Sequence, residues 1–277
     1  MRTQELAPAK INLALDILGR RADGYHELRM VMQTVSLCDV ITVEEGGTGF
    51  TLLTGEAFSL PADKVPMEQR AAEAFFAALG VPVPPLTVRL EKNIPAYAGL
   101  GGGSADVAAL LRCLRRLYAA GMPDEALRAI GLIVGSDVPF CVSGGTSLAE
   151  GRGERLTDLP PLPVCQIVLC KPDFGISTPE LFVLADGAVL SKRPDIAGLT
   201  AALQGGELTG VTDRLCNVFE EFLPERYREA LELRFAWEYS NQEIAKALKL
   251  HTSTVATLVA RGRKLLIEKL QTEGYRY

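Results

Sequence analysis

A chain of 277 residues, 48% of them apolar, can bury one large or two modest cores, which excludes a disordered chain. Its 29 Lys and Arg against 34 Asp and Glu give a net charge of −5, yet residues 224–277 carry 10 against 7, so a basic tail follows an acidic body. Two histidines exclude a histidine-rich metal centre, and no run approaches the ~20 apolar residues of a membrane span. The six cysteines lack C-x-x-C spacing and read as free thiols of a reducing compartment. With no apolar leader behind Met1, the cytoplasm is expected.

In chain order, Lys10–Leu18 alternates as a strand and Gly19–Glu27 is a polar loop. Val40–Glu44 and Phe50–Leu53 read as strands separated by Gly46, Gly47 and Gly49. An Ala-rich amphipathic helix over Met67–Leu79 ends at Gly80, and a strand follows at Leu86–Leu90. After the glycine-rich loop Ile94–Gly103, apolar residues at Val107, Leu110, Leu111, Leu114 and Leu117 predict a helix over Ser104–Tyr118, and another covers Pro123–Val134. Val138–Val142 and Thr146–Leu148 are expected as strands around Gly144-Gly145, Pro160–Pro163 as a stiff connector, and Val164–Cys170 as a buried strand. Strands and helices mix without strict alternation, which favours α+β over a doubly wound sheet. Beyond Pro224 three helices fit, at Glu225–Ala236, Asn241–Leu248 and Ser253–Leu270. Ser240 and Glu243 stand at capping-box spacing, and Thr252 is a candidate second cap.

The strongest chemical signal is the run Pro95, Ala96, Tyr97, Ala98, Gly99, Leu100, Gly101, Gly102, Gly103, Ser104, Ala105. Glycines let backbone N–H groups approach an anion, and the helix that follows turns its positive end to the same place. Ser104 adds a hydroxyl for phosphate or Mg²⁺. No Gly-Lys-Ser/Thr follows, so this is not a Walker A loop, and no strand enters it directly as in a dinucleotide fingerprint. Taken alone, Lys10 in Pro8-Ala-Lys-Ile-Asn12 reads as a strand-edge lysine, and Asp137 in Gly135-Ser-Asp-Val-Pro139 as a turn residue or helix cap.

Together these blocks carry a resemblance. Pro8-Ala-Lys-Ile-Asn12, the glycine loop and Gly135-Ser-Asp-Val-Pro-Phe140 occur in that order. With them come Gly19-Arg-Arg-Ala-Asp-Gly-Tyr-His-Glu-Leu28, Gly144-Gly-Thr-Ser-Leu-Ala-Glu-Gly-Arg-Gly-Glu154 and Lys171-Pro-Asp-Phe-Gly-Ile-Ser-Thr-Pro-Glu-Leu-Phe182. Over about residues 5–223 the set resembles the diphosphocytidyl-methylerythritol kinase branch of the GHMP small-molecule kinases. The resemblance implies an N-terminal domain like domain 2 of ribosomal protein S5 over 1–160, which would bind ATP and substrate, and a truncated second α+β domain over 161–223. It implies ATP with Mg²⁺, and transfer of the γ-phosphoryl group to the 2-hydroxyl of 4-diphosphocytidyl-2-C-methyl-D-erythritol, a step of non-mevalonate isoprenoid synthesis. Asp137 matches the family's base and Lys10 the lysine that lowers the hydroxyl's pKa. Residues 95–105 match the ATP phosphate loop, Tyr25 and His26 the cytosine-reading pair, Asn12 a polar substrate neighbour, and Thr178 and Phe182 the far wall of the cytidine pocket.

Two blocks depart from the family. Pro66 stands where the family has an asparagine near the nucleotide base, and no Gly-Ser-Gly-Pro-type motif follows Asn217; the only later glycines are Gly262 and Gly274. Residues 224–270 instead resemble region 4 of bacterial sigma factors, an all-α helix-turn-helix. That resemblance implies contact with DNA or RNA polymerase, with Thr252, Ser253, Thr254 and Thr257 at the major groove and Arg261, Arg263 and Lys264 near phosphates. The alternatives to the cytidyl-substrate kinase are another GHMP kinase, or a DNA-binding regulator with a degenerate kinase-like sensor.

Overall fold

A computed structural model of the chain describes residues 1–55, 65–169, 178–186, 190–222, 233, 239–249, 252–255 and 259. They fall into two compact units: Met1–Pro163 with Asp195–Leu215, and Val164–Pro194 with Cys216–Tyr277.

The first unit is organised by one long antiparallel hairpin, β1 (Arg2–Arg20) and β2 (His26–Glu45), paired along its whole length. The outer edge of β2 is shared: Leu28–Gln33 pairs with β5 (Thr146–Gly151), and Val40–Glu45 pairs with β4 (Leu86–Glu91). A parallel β3 (Phe50–Thr54) extends the sheet beyond β4, and β6 (Arg155–Asp158) lies antiparallel to β5. This is the mixed α+β architecture expected.

The central helix, α2 (Gly102–Tyr118), lies against β1 and β2. Val107, Ala108, Leu110, Leu111, Cys113 and Leu114 are fully buried, so the helix is apolar on more than one face. Around it pack α1 (Met67–Leu79), α3 (Asp124–Val134) and the short α4 (Val138–Ser143). Phe75 and Phe76 of α1 are buried, each contributing about 1.5–3 kcal/mol, and Gly80 closes the helix at φ 71°. A separate apolar cluster joins Leu13, Ala14 and Val31 of the hairpin to Ile196, Leu199, Ala202 and Leu203 of α6 (Ile196–Gly205), with Val211 of α7 (Leu208–Thr212).

Three expectations need correction. The apolar run Val138–Val142, expected as a strand, is α4: Pro139 sits in its first turn, where a missing N–H costs nothing, and the run is buried on all sides. The strand beginning at Val40 starts at His26, fourteen residues earlier, because pairing with β1 and β5 overrides the Met- and Leu-rich local preference. Residues 164–169 are neither a strand nor buried, with Val164 and Val168 exposed; Cys170 lies outside the described residues.

In the second unit, α5 (Thr178–Ala185) brings Phe182 edge-on to Phe219, ring centroids 5.2 Å apart. The expected helix Asn241–Leu248 forms as α8, with its Ser240–Glu243 capping box in place. Lys249, left-handed at φ 55°, ends it. Ile244, Ala245 and Val255 form a small core with Leu233, Leu248 and Val259, which is how two short amphipathic helices share one apolar seam. Thr252, expected as a cap, is already helical. Most of Glu225–Ala236 and of Ser253–Leu270 lies outside the described residues.

Candidate active site

The site begins with an irregularity in β1. The register with β2 shifts between Pro8 and Lys10, where Pro8 has no N–H to give to a ladder. The Lys10 backbone N–H donates instead to the Leu100 carbonyl at 2.9 Å, which ties the glycine loop to the hairpin. Gly101 is left-handed at φ 67° and caps α2. A Cβ there would stand 2.8 Å from Lys10 Cγ and 3.1 Å from Cε, so the loop lies directly on the lysine side chain. Beyond it, the first-turn N–H groups of α2 have no carbonyl of their own helix to pair with, and that turn holds no acidic residue. Residues 95–101 are therefore a glycine-rich loop that opens the buried helix α2, whose first turn holds Gly102–Ala105.

Asp137 approaches the same place from α4, whose N-cap it occupies without using its side chain as a cap. The carboxylate instead meets Lys10, Oδ2 to Nζ at 3.3 Å, with the lysine buried and the aspartate a third exposed. Ser104 lies nearby, its Oγ 3.8 Å from where a Cβ on Gly135 would be. The turn between β5 and β6 closes the other side. A Cβ on Gly153 would be 3.5 Å from the Ser136 carbonyl oxygen and 3.9 Å from Asp137 Oδ1. Lys10, Asp137, Ser104 and the loop are thus brought together from four elements. Asn12 shares a face of β1 with Lys10, and its buried Oδ1 has no hydrogen-bond partner among the described residues, an open acceptor two residues from Lys10.

Beneath the loop lies a network that sequence reasoning missed. Lys92, at the end of β4, pairs with Asp39 of β2 and with Asp106 of α2, the latter at 2.7 Å. Asp39 is fully buried and also accepts from the backbone N–H groups of Asn93 and Ile94. Asp106 is almost fully buried, and its Oδ1 has no hydrogen-bond partner among the described residues. Burial pushes its carboxyl up to about 8, outweighing the attraction of Lys92. Glu68, at the start of α1, is also raised by burial. The available signal was charge in apolar runs, in Ser36-Leu-Cys-Asp-Val-Ile41 and Ser104-Ala-Asp-Val-Ala-Ala-Leu110, since a buried charge needs a partner.

Tyr25 and His26 stand where β1 turns into β2, Tyr25 half exposed. The hairpin tip is fastened by Arg21, which donates to Asp23 at 3.1 Å and to Glu27 at 2.5 Å, and by Arg155, which donates to Glu27 at 2.7 Å. Arg21 and then Arg155 hold the Glu27 carboxyl below its usual range, and the Tyr25 backbone N–H together with Arg21 does the same for Asp23 against the opposing effect of desolvation. The Arg152 guanidinium lies over the Tyr25 ring, 4.4 Å from its centroid. Thr178 and Phe182 lie in the second unit, at the first and fifth positions of α5. The stretch 171–177 lies outside the described residues. So do Thr257, Arg261, Arg263 and Lys264, whereas Thr252, Ser253 and Thr254 are exposed at the start of their helix. The described cysteines are free thiols, and burial pushes Cys113 and Cys141 up to about 12. Among the described residues, no cluster of three or more acidic, His or Cys side chains could hold a metal, and no helix is long and apolar enough to cross a membrane.

Residues 67–145 match the family model of the GHMP kinases N terminal domain, and residues 222–266 that of Sigma-70, region 4. A 4-diphosphocytidyl-2-C-methyl-D-erythritol kinase of Pelotomaculum thermopropionicum is 42% identical over 229 residues, 83% of this chain and 79% of the relative. One from Caldicellulosiruptor bescii is 38% identical over 221 residues, 80% of this chain and 77% of the relative. Among solved structures, a 4-(cytidine 5'-diphospho)-2C-methyl-D-erythritol kinase superposes with a TM-score of 0.61 at 33% identity, covering 79% of this chain and 76% of that one. The phosphomevalonate kinase of Streptococcus pneumoniae superposes at 0.58 with 11% identity, covering 84% of each chain, a likeness of fold.

Proposed function

The chain belongs to the 4-diphosphocytidyl-2-C-methyl-D-erythritol kinase family, and we propose that it transfers the γ-phosphoryl group of ATP to the 2-hydroxyl of 4-diphosphocytidyl-2-C-methyl-D-erythritol. The observation that carries this reading is the Lys10–Asp137 pair at 3.3 Å beside the glycine cradle. In the proposed step the substrate hydroxyl gives its proton to the Asp137 carboxylate. Its oxygen forms the new bond to the γ-phosphorus as the bond to the β-phosphate oxygen breaks, and ADP leaves. Lys10 favours the developing alkoxide by charge, and the N-terminal turn of α2 receives the phosphates. Asn12 Oδ1, buried without a partner among the described residues, suits a donor on the substrate. Tyr25 offers a face for the cytosine and His26 a ring nitrogen for its edge.

The cradle fits a nucleotide triphosphate: its glycines lack the side chains that would fill it, and Ser104 points a hydroxyl toward the Gly135 segment. Mg²⁺ would be held by the triphosphate oxygens with the Ser104 hydroxyl, and when bound it neutralises phosphate charge.

The test is ADP release from Mg-ATP, with and without the cytidyl substrate, in the parent and in Asp137→Asn. Substrate-dependent ADP from the parent is expected. The variant is expected to lose at least about a hundredfold in kcat while still binding ATP, the lower range for a general base. A variant at parental kcat would refute the assignment of the base. A folded, nucleotide-binding parent with no substrate-dependent ADP would shift weight to the regulator with a kinase-like sensor. A second reading attaches to the tail. The region 4 match at 222–266 supports assigning it a DNA or RNA polymerase contact through Thr252, Ser253, Thr254, Thr257 and Arg261.

A further inference from the structure

We infer that Arg152 is the residue that reads the substrate's diphosphate. The inference rests on the kinase reading above and adds to it a binding residue on the β5–β6 turn. Of the arginines at the hairpin tip, Arg21 is committed to Asp23 and Glu27, and Arg155 to Glu27. Arg152 is not. Among the described residues its guanidinium makes no ion pair within 4 Å; it rests on the Tyr25 ring, and its charge acts on Asp23 only from farther off, helping to lower that carboxyl. Its own backbone N–H is held by Glu154 Oε2 at 2.5 Å, which fixes the turn while leaving the five side-chain N–H donors for something else.

The position of that turn identifies the occupant. Arg152 stands over the aromatic ring assigned to the base, and the next residue, Gly153, faces the Ser136–Asp137 segment assigned to the reacting hydroxyl, so that a Cβ there would lie 3.5 Å from the Ser136 carbonyl oxygen. A substrate with its base on Tyr25 and its hydroxyl at Asp137 must carry the linking group across this turn. In a cytidyl diphosphate that group is two adjacent phosphates, each with a negative charge. A planar guanidinium is the side chain that matches them, two N–H bonds to one phosphate or one to each. Neutral Met or Gln there would leave the charge uncompensated beside Asp23, Glu27 and Asp137. Arg152 thus selects for substrates with a diphosphate between base and alcohol, and against neutral or monophosphate analogues.

Two measurements on the full chain test this. The first is calorimetric binding of cytidine 5'-diphosphate and of cytidine to the parent, Arg152→Met and Arg152→Lys. The parent is expected to favour the diphosphate by at least about tenfold, as charge-assisted hydrogen bonds allow. Arg152→Met should lose that preference while keeping the affinity for cytidine, and Arg152→Lys should restore part of it, because a point charge replaces a fork. The second is steady-state kinetics: in Arg152→Met, KM for the cytidyl substrate should rise about tenfold or more, with KM for ATP and kcat within twofold of the parent. An unchanged diphosphate preference in Arg152→Met overturns the inference. So does an equal loss of cytidine and diphosphate binding, which would mean that the residue only props the Tyr25 ring. A parent that discriminates the two ligands through Arg152 but releases no substrate-dependent ADP would refute the kinase reading while leaving the diphosphate site standing.

Discussion

Gly101→Ala tests whether the glycine loop positions the lysine as well as the phosphates. The substitution has two costs. A left-handed alanine at φ 67° costs about 1 kcal/mol. The new methyl would also stand 2.8 Å from Lys10 Cγ, too close for two carbons, against a buried side chain whose far end is held on Asp137. Relieving such overpacking costs about 1–3 kcal/mol more, so a loss of roughly 2–4 kcal/mol in stability is expected. The kinetic effect is the sharper one: a displacement of about 1 Å at a reacting group lowers kcat about a hundredfold. Gly99→Ala is the matched control, with the same left-handed backbone at φ 71° but open space where its Cβ would be. It should lose about 1 kcal/mol and keep kcat within a fewfold at saturating ATP. Urea denaturation and ADP-release kinetics on both variants decide the matter. Equal kcat losses in the two, or a parental kcat in Gly101→Ala, would refute the claim that Gly101 is small for the sake of Lys10.

The remaining predictions concern the buried network and the tail. Asp106 binds its proton more tightly in the folded chain than at the ordinary value of 3.8, so its contribution is fully present below about 4 and is lost as pH rises to about 8. Parental stability measured in urea at pH 5, 6, 7 and 8 should therefore fall relative to Asp106→Asn by roughly 1 kcal/mol per pH unit, and parallel curves would mean that the carboxyl is ionised throughout. For the tail, a −35-like duplex should be shifted by the full chain at low salt, with affinity falling as a power of salt concentration as counterions are released; a mobility unchanged at low salt would retire the DNA contact.

What the sequence disclosed divides along physical lines. The glycine loop and the helix it opens were legible because their pattern is local: glycines, a serine and an apolar helix follow one another within a single stretch. Asn241–Leu248 was legible for the same reason, since a capping box is written within four residues. Lys10 and Asp137 are 127 positions apart, and neither has a local signature that outweighs an ordinary surface reading. Only the order of blocks within a known family paired them, and the 3.3 Å contact then gave the pairing a geometry. The elements misread were those decided by partners distant in sequence. The first half of β2 is a strand because β1 and β5 flank it, and Val138–Val142 is a helix because α2 and α3 enclose it.

The same distinction explains why the charge network went unseen and what it does for the site. Asp39, Lys92 and Asp106 come from β2, β4 and α2, and no window of sequence contains two of them close together. Yet Lys92 Nζ lies 3.4 Å from where a Cβ on Gly102 would be, directly under the first residue of α2. The cation therefore anchors the start of α2, while Asp39 grips the strand end at Asn93 and Ile94 from which the loop departs. Both ends of the glycine loop are thus fastened to one half-buried lysine. A loop rich in glycine would otherwise spend conformational entropy each time it closed on a ligand, and fixing its ends beforehand reduces that cost.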